Sequence, residues 1–451
     1  MFKSSSFCLL ITLIIVLSSG RCLQAKDMKI KGNPSPSLQS AVENLIKNNA
    51  GNKNAYAVFD WDNTSVYGDV QETLLIYQLE NLEFKMTPEQ FEYSFTHYGE
   101  TGHDKNLEIP SDNFDKSYAN TDGKPLNIEI MKKDCAGYYR YFYNNYRKMN
   151  PAAKGNISLA QLQKTDEYKD FIAKMWFTYA AIYKSFSVNA AYTWVMYITA
   201  PGYTTSEFHK MVQRGIDWGV KRESKKVYYE SPAGIKSEAG AVSNKAVGNY
   251  FINTIRMTPE MSSLFKLLMK NGINVYISTA SFQEIVDVVA TTPKYGYSLT
   301  NNHVYGLRLK KDANGKFLPE YDFSGNYTIN SMDGKTININ NILAAKYKSN
   351  PVMIGGDSDG DYYMITELSG LDGVKIKNSY PPVQLILVLN RVKGGNIGKI
   401  CKIAAEQLDG KQTGAVRVVL QGRDENKGVW VPEEKTLKLG DSGEDHYKLV
   451  P

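Results

Sequence analysis

The chain has 451 residues, with 53 Lys and Arg against 47 Asp and Glu and a formal net charge of +6. Because only 22% of the residues are charged and 42% are hydrophobic, the composition excludes both a disordered polyelectrolyte and a bundle of membrane helices. No run of five or more Lys or Arg is present, so nothing in the charge pattern indicates nucleic acid as a partner. The length predicts about two or three domains. The one unusual feature of the composition is the 31 tyrosines.

The N-terminal segment has the layout of a secretory signal. Lys3 is followed by a predominantly apolar run from Phe7 to Leu17, and small residues near Gly20 and Ala25 offer cleavage sites. The run is too short to span a membrane, which needs about 20 apolar residues, and no second apolar span follows. We therefore expect residues 1–25 to be removed and the mature chain to be exported, to the periplasm or the extracellular space, without a membrane span.

The cysteines do not indicate a disulfide framework. Cys22 would suit a lipid anchor if a small residue preceded it, but Arg21 stands there, so lipidation is not expected. After removal of the signal, Cys135 and Cys401 remain, and they fall in different predicted domains. We therefore expect export without a disulfide.

The first predicted elements are a short helix and a buried strand. The spacing of apolar residues from Leu38 to Ile46 predicts an amphipathic helix that ends by Gly51. The continuous apolar run from Ala55 to Phe59, which ends in Asp60, predicts a buried strand of a parallel sheet.

Residues 69–250 form a helical segment after that strand. The helix that begins at Pro88 has a capping box, with Thr87 as the N-cap and Gln90 three residues later. The predicted helices are 71–82, the helix from Pro88, and 128–149, 165–186 and 204–218, of which 128–149 and 165–186 are dense in aromatic residues.

The alternation of strands and helices resumes at Phe251. The predicted elements are a helix from Pro259 to Gly272, a strand at Asn274–Thr279, a helix after a capping box at Ser281–Glu284, a hairpin of 303–309 with 317–321, a helix following Lys335, strands at 351–355 and 385–389, and short strands at 416–420 and 429–431. The chain is therefore predicted to be α/β: a Rossmann-like parallel-sheet core of residues 27–68 and 251–451, which includes a C-terminal extension, with a large helical cap of residues 69–250 inserted after the first strand.

Two carboxylates follow the first strand. Asp60 and Asp62 stand at its carboxyl end, where open α/β sheets bind ligands. Two acids at this spacing can approach a common point, one as a nucleophile and the other as a proton donor. Taken alone the pattern is common, and a solvated turn explains it equally well.

Hydroxyl groups and a lysine that could contact a phosphate follow further along the chain. Ser278 and Thr279 end the second strand, where a hydroxyl and the free N–H groups of the helix beginning at Ser281 could hold a phosphate oxygen. Lys335 could neutralise a phosphoryl group, although by itself it is as well explained as a surface lysine.

A cluster of acids follows the third buried strand. Hard oxygen ligands at Asp357, Asp359 and Asp361 suit Mg²⁺. The alternative, a calcium loop, requires glycine at its sixth position and glutamate at its twelfth, where this chain has Tyr362 and Leu368. The calcium alternative is therefore excluded.

Taken together and in this order, the motifs resemble those of the haloacid dehalogenase-like (HAD) hydrolase superfamily. They are Asp60-x-Asp62-x-Thr64, Ser278-Thr279, Lys335 and Gly356-Asp357-x-x-x-Asp361. The stretches Arg256–Met261, Thr279–Ser281 and Val304–Gly306 resemble the phosphoserine phosphatase and phosphorylcholine phosphatase branch. The resemblance covers roughly 55–68 and 251–390.

The resemblance implies a phosphatase mechanism. Asp60 would attack phosphorus and become an aspartyl-phosphate, and Asp62 would protonate the leaving oxygen and then deprotonate the attacking water. Thr279 and Lys335 would hold the phosphoryl oxygens, with Ser278 as the alternative register.

The resemblance also implies a magnesium site and further phosphate contacts. The ligands of Mg²⁺ would be the Asp60 carboxylate, the Asp62 backbone carbonyl and Asp357, with Asp361 nearby. Thr64, Ser278 and Ser281 are the further candidates for phosphate binding.

Two details narrow the function within the superfamily. Asp62 favours phosphate chemistry, because a dehalogenase does not need that acid. Gly360 stands where phosphoserine phosphatases usually carry Asn, which disfavours serine phosphate itself. The expected function is an exported Mg²⁺-dependent phosphatase of a small phosphomonoester, of the phosphocholine, phosphoethanolamine or phosphoserine type.

Several alternatives remain open from the sequence. The same residues would permit a non-specific acid phosphatase or transfer of phosphate to an acceptor alcohol, and a HAD-fold binding protein without turnover is a third possibility. The aromatic residues of the cap could enclose a quaternary ammonium group, but aromatic residues at helical spacing are more often core. His97, His103 and His209 lack metal-ligand spacing and are expected to be ordinary polar residues.

Overall fold

The fold is described for residues 28–96, 109–412 and 414–451 of a computed structural model of the chain. It begins with α1 (Pro36–Asn48), β1 (Tyr56–Phe59) and β2 (Val66–Tyr67). The helical part that follows contains α2 (Val70–Asn81), α3 (Pro88–Thr96), α4 (Ile128–Asn145), α5 (Leu159–Leu162), α6 (Asp166–Ser185), α7 (Val188–Thr199), α8 (Thr205–Val220), β3 (Lys226–Val227) and β4 (Phe251–Ile252). The predicted signal at 1–25, Cys22, His97 and His103 lie outside the described residues.

The remaining elements return to the alternation of strands and helices. They are β5 (Arg256–Met257), α9 (Pro259–Lys270), β6 (Asn274–Phe282), α10 (Gln283–Thr291), β7 (Val304–Leu307), β8 (Leu309–Lys311), β9 (Phe317–Tyr321), α11 (Asp333–Asn338), α12 (Ala345–Tyr347), β10 (Met353–Gly356), α13 (Tyr362–Ser369), β11 (Leu385–Leu389), α14 (Gly395–Leu408), β12 (Arg417–Gln421), β13 (Arg423–Asp424) and β14 (Val429–Trp430).

Six parallel strands form the central sheet, in the order β12, β11, β10, β1, β6 and β7. β1, β10 and β11 are buried along their whole length, as expected for apolar strands covered by helices on both faces. β1 is central, and Phe59 lies opposite Gly355 of β10 and Ile277 of β6. The predicted α/β, Rossmann-like fold is confirmed.

Helices α2–α8 follow the first strand, so the expected helical insertion is present. β2 and β5 flank it and pair with each other. α7 and α8 pack on the sheet, because Met196 and Phe208 belong to the same apolar cluster as Phe59. The sequence analysis did not predict α7, a helix in which nine of the twelve residues are buried.

Most aromatic rings of the helical insertion form a second core. Tyr139 is fully buried and stacks on Phe91, with 4.0 Å between the ring centroids. Trp176 and Phe171 belong to the same cluster. These residues pack against one another as core, in agreement with the structural interpretation.

Two local predictions were wrong. Ser281 does not cap a helix: β6 continues to Phe282, and α10 begins at Gln283 without a side-chain cap. The segment 304–307 does not belong to the predicted hairpin either, because β7 pairs parallel with β6 at the edge of the main sheet. The hairpin consists of β8 and β9 alone.

The C-terminal residues belong to the core. β12 pairs with β11 and forms one edge of the main sheet. Cys135 and Cys401 are free and buried. Among the described residues, no helix combines the length and apolar character required to cross a membrane.

Candidate active site

The carboxyl ends of β1, β10 and β11 meet around a cavity of about 640 Å³. This edge of an open parallel sheet is where ligands bind. On the side of the sheet, the cavity is lined by Asp60, Asp62, Lys335 and Asp357. Residues from three of the four sequence motifs therefore lie together on one wall.

Asp60 is held at the end of β1 by its main chain. Its N–H donates to the carbonyl of Gly355 on β10 at 2.9 Å, which extends the strand pairing by one residue. The carbonyl of Trp61 accepts hydrogen bonds from three following amides, and Asn63 adopts a positive φ of 59°. We name residues 60–67 the catalytic turn, because it places both Asp60 and Asp62 at the cavity.

Lys335 is a buried cation at the centre of the site and not a surface lysine. Its Nζ lies 2.6 Å from Oδ1 of Asp60 and 2.8 Å from Oδ1 of Asp361. Burial alone would lower the pKa of Lys335, but the charges of Asp361 and Asp60 outweigh it and raise the pKa above its ordinary value. Gly334 precedes it in α11 because a Cβ there would collide with the carbonyl oxygen of Ile329.

Asp357 follows β10 and has two side-chain partners. Its Oδ1 accepts from Thr64 Oγ1 at 2.9 Å, and its Oδ2 accepts from Arg391 Nη1 at 2.7 Å. Thr64 Oγ1 also lies 3.2 Å from Oδ2 of Asp60, so the threonine links the two carboxylates. Burial alone would raise the pKa of Asp357, but Arg391 and then Lys393 hold it below its ordinary value.

Asp361 holds the loop that follows β10. Its Oδ2 accepts from the N–H groups of Asp357 at 2.9 Å and Ser358 at 3.2 Å, while Oδ1 accepts from Lys335. Asp60, Asp357 and Asp361 each offer one oxygen, and these three oxygens lie within 4.8 Å of one another. The three acids can therefore share one cation.

Asp62 is oriented by groups on two elements. Its Oδ1 accepts from the N–H of Val70, the first residue of α2, at 2.7 Å, and its Oδ2 accepts from Ser281 Oγ at 2.6 Å. Thr279 Oγ1 lies 3.5 Å from the same oxygen. Thr279 and Ser281 are two residues apart on β6 and so face the same side.

Ser278 lies away from Asp62, and its hydroxyl accepts a hydrogen bond from Nδ2 of Asn330 at 3.2 Å. Ser278, Thr279 and Ser281 are all buried, and none of them lines the cavity, whereas Ala280 between them does. The hydroxyls predicted to contact phosphate therefore lie behind the cavity wall in this structure.

Burial and neighbouring acids raise the pKa values of Asp60 and Asp62. Burial and then the charge of Asp361 raise the pKa of Asp60 well above its usual range, against the opposing effect of Lys335. Burial and then Asp69 raise the pKa of Asp62 well above its usual range. Each proton or cation that enters the site therefore relieves repulsion.

The helical insertion supplies an acidic and aromatic wall on the opposite side. Asp69, Tyr183 and Tyr192 line the cavity there. Asp69 caps α2 through Oδ1, and its Oδ2 accepts from the Tyr192 hydroxyl at 2.7 Å. Behind it, Glu72 accepts from the Tyr179 hydroxyl at 2.9 Å.

The acids of this wall have no cationic partner. In the described part of the chain, neither Asp69 nor Glu72 forms an ion pair with Lys, Arg or His, and their partners are hydroxyl and amide groups. Burial raises the pKa of Asp69, and burial with the neighbouring Asp69 raises the pKa of Glu72 to about 8. A cation in the cavity would therefore be favoured next to this wall.

Arg423, on β13, supports the catalytic turn from the C-terminal region. It is buried, and its Nη1 donates to the carbonyl of Asn63 at 2.9 Å. Glu425 accepts from its Nη2 at 2.9 Å and fixes the guanidinium. The hydroxyl of Tyr67, at the end of the turn, donates to the carbonyl of Glu425 at 2.6 Å.

Sequence reasoning did not find several residues of the site. They are Asn330, Asp69, Tyr183, Tyr192, Arg391, Lys393 and Arg423. The one available signal was position: Arg391 and Lys393 follow the predicted strand 385–389, at the same edge of the sheet as the acids. His209, expected to be an ordinary polar residue, pairs with Glu284 at 2.6 Å.

The chain is similar to a curated enzyme and to a solved structure. The chain is 24% identical over 374 residues to phosphorylcholine phosphatase of Pseudomonas aeruginosa. The aligned region covers 78% of this chain and 82% of that protein. It is 31% identical, with a TM-score of 0.75, to the crystal structure of a conserved protein of unknown function from Anaerococcus prevotii, covering 91% of this chain and 98% of that chain. The chain belongs to the same family as the Anaerococcus protein. No family model matches the chain.

Replacing Arg423 tests whether the C-terminal region supports the catalytic turn. Arg423→Met leaves the buried Glu425 without its main partner and the Asn63 carbonyl without a donor, so we expect the free energy of unfolding to fall by about 3 kcal/mol. Chemical denaturation measures it. In the matched control, Lys411→Met, an exposed lysine paired with Asp409, the free energy of unfolding stays unchanged. An Arg423→Met protein as stable as the wild type contradicts the role assigned to Arg423.

Proposed function

We propose that the chain is a HAD-type phosphatase that hydrolyses a small phosphomonoester with a cationic leaving group. The observation that carries the proposal is the buried carboxylate of Asp60 at the end of the central strand, bonded to the buried ammonium of Lys335 and facing a cavity. The similarity to phosphorylcholine phosphatase supports a phosphomonoester phosphatase. The order of the four sequence motifs supports the HAD assignment.

In the proposed reaction, Asp60 attacks phosphorus through one carboxylate oxygen. An oxygen–phosphorus bond forms to Asp60 while the bond to the leaving oxygen breaks, and Asp62 donates a proton to that oxygen so that it departs as an alcohol and not as an alkoxide. Asp62 then takes a proton from a water molecule as the water oxygen attacks phosphorus. This second step releases orthophosphate and restores Asp60.

The surrounding residues position these two acids. Ser281, Thr279 and the Val70 amide orient Asp62. Lys335 reduces the repulsion between the Asp60 carboxylate and the phosphate dianion, as phosphoryl transfer requires. In this proposal, the hydroxyls of Thr279 and Ser281 act by orienting Asp62.

The donor set of the site fits Mg²⁺. Asp60, Asp357 and Asp361 provide buried carboxylate oxygens that lie within 4.8 Å of one another, and hard oxygen donors are those Mg²⁺ prefers. These residues would hold the ion, with Thr64 fixing the carboxylates of Asp60 and Asp357 relative to each other. Bound Mg²⁺ would offset negative charge on the phosphoryl group.

The opposite wall supports a cationic leaving group such as choline or ethanolamine. Asp69 lies at the cavity with Glu72 behind it, neither of them in an ion pair with a described residue, and a bound cation would favour the charged forms of both acids. Tyr183 and Tyr192 provide aromatic rings at the cavity. A leaving group that carries a carboxylate, as in phosphoserine, would meet repulsion at this wall. Phosphocholine and phosphoethanolamine are therefore the favoured substrates among the three types expected from the sequence.

Export remains a prediction of the sequence. Its basis is the signal-like segment at 1–25, which lies outside the described residues.

Asp60→Asn tests the nucleophile. We expect release of phosphate from p-nitrophenyl phosphate to fall by roughly 10³-fold or more, because an amide does not attack phosphorus. Removal of divalent ions with EDTA should abolish wild-type activity, and MgCl₂ should restore it. As a control, Asp409→Asn changes an exposed acid and leaves activity unchanged. Activity that survives both Asp60→Asn and EDTA would refute the proposal.

Asp69→Asn tests the substrate wall. Asn caps a helix as well as Asp does, so α2 should stay intact while one negative charge is lost. We expect kcat/KM for phosphocholine to fall about tenfold and that for p-nitrophenyl phosphate to change about threefold or less. Asp166→Asn, an exposed acid in the first turn of α6, is the matched control and should change neither value. Equal losses on both substrates would contradict recognition of a cation at Asp69.

A further inference from the structure

The loop Asn390–Gly395 brings two cations to the active-site cavity. It follows β11, the strand next to β10, at the same edge of the sheet as the acids. Arg391 Nη1 lies 2.7 Å and Lys393 Nζ 4.0 Å from Oδ2 of Asp357. Both side chains line the cavity. None of the four sequence motifs includes this loop.

The loop is held in a conformation that its sequence does not favour. Val392, between the two cations, has a positive φ of 52°, which a β-branched residue rarely adopts. Asn390 Oδ1 accepts from the Val392 N–H at 2.9 Å, and its Nδ2 donates to the carbonyl of Leu449 at 2.8 Å. Thr436 Oγ1 donates to the Asn390 carbonyl at 2.6 Å. Backbone strain of this kind persists where surrounding contacts enforce it, and it is concentrated at functional sites.

Arg391 and Lys393 differ in the acceptors that their side chains already have within the protein. Arg391 forms a short ion pair with Asp357. Among the described residues, the ammonium of Lys393 forms no hydrogen bond, and the one acid within ion-pair distance of it is Asp357 at 4.0 Å. The Lys393 side chain is 40% exposed and lines the cavity, so its ammonium is open to a bound anion. Lys335, by contrast, already has two carboxylate acceptors.

We infer that Lys393 is a second phosphate-binding cation of the active site. Its ammonium donates to an oxygen of the phosphoryl group on the Asp357 side of the cavity, while Lys335 lies on the Asp60 side. The inference rests on the proposed function in taking phosphate as the ligand. A charge-assisted hydrogen bond to phosphate is among the stronger polar contacts, and Lys393 is the cavity lysine without a hydrogen-bond acceptor among the described residues.

Orthophosphate binding, measured by isothermal titration calorimetry at pH 7 in excess MgCl₂, tests the inference without requiring turnover. We expect Lys393→Met to weaken binding by about 10-fold to 100-fold, the usual loss for a charge-assisted hydrogen bond. Lys393→Arg keeps the charge and should stay within about threefold of the wild type. Lys399→Met removes an exposed lysine of the adjacent α14 and should bind like the wild type.

The enzymatic readout separates a binding role from a structural one. For Lys393→Met, KM for p-nitrophenyl phosphate should rise by the same factor as the orthophosphate dissociation constant, with an unchanged melting temperature. Wild-type affinity for orthophosphate in Lys393→Met overturns the inference, and so do equal losses in the Met and Arg variants. A wild-type protein that binds orthophosphate through Lys393 but hydrolyses no phosphomonoester would refute the proposed function and leave this inference standing.

Discussion

Repulsion among three buried carboxylates is the constraint on which the site depends. Asp60, Asp357 and Asp361 are each at most 6% exposed and offer oxygens within 4.8 Å of one another. Buried charges at such distances require cations. Lys335 meets this need between Asp60 and Asp361, and Arg391 meets it at Asp357. The same negative charge that demands these cations suits the site for a metal ion.

The parallel sheet explains why these residues meet. Asp60 follows β1, and Asp357 follows β10, its neighbour; Arg391 follows β11, the next strand. Parallel strands end at one edge, so residues far apart in sequence become neighbours there. The C-terminal region consequently belongs to the site: it carries Arg391 and Lys393, and Arg423 supports the catalytic turn. The helical insertion adds the facing wall and reaches Asp62 through the Val70 amide.

Sequence reasoning succeeded where a local pattern determines the structure. Apolar runs predicted the buried strands, and the acids directly after them predicted the edge at which the cavity lies.

Sequence reasoning failed where contacts between distant segments of the chain determine the structure. Ser281 has the spacing of a capping box with Glu284, yet its hydroxyl donates to Asp62 and the strand continues past it. Asn330 has no local signal, because its partner Ser278 lies 52 residues away in the chain. Arg391 has only its position after a predicted strand, because its partner Asp357 lies 34 residues away.

The central claim is that Asp60 becomes phosphorylated during turnover, and trapping the intermediate tests it directly. The enzyme is mixed with a phosphomonoester radiolabelled at phosphorus, quenched in acid before turnover is complete, and digested for peptide mapping. The account predicts label in the peptide that contains Asp60 in the wild type and none in Asp60→Asn. Release of labelled phosphate without any labelled enzyme, or label on a peptide that lacks Asp60, would contradict it.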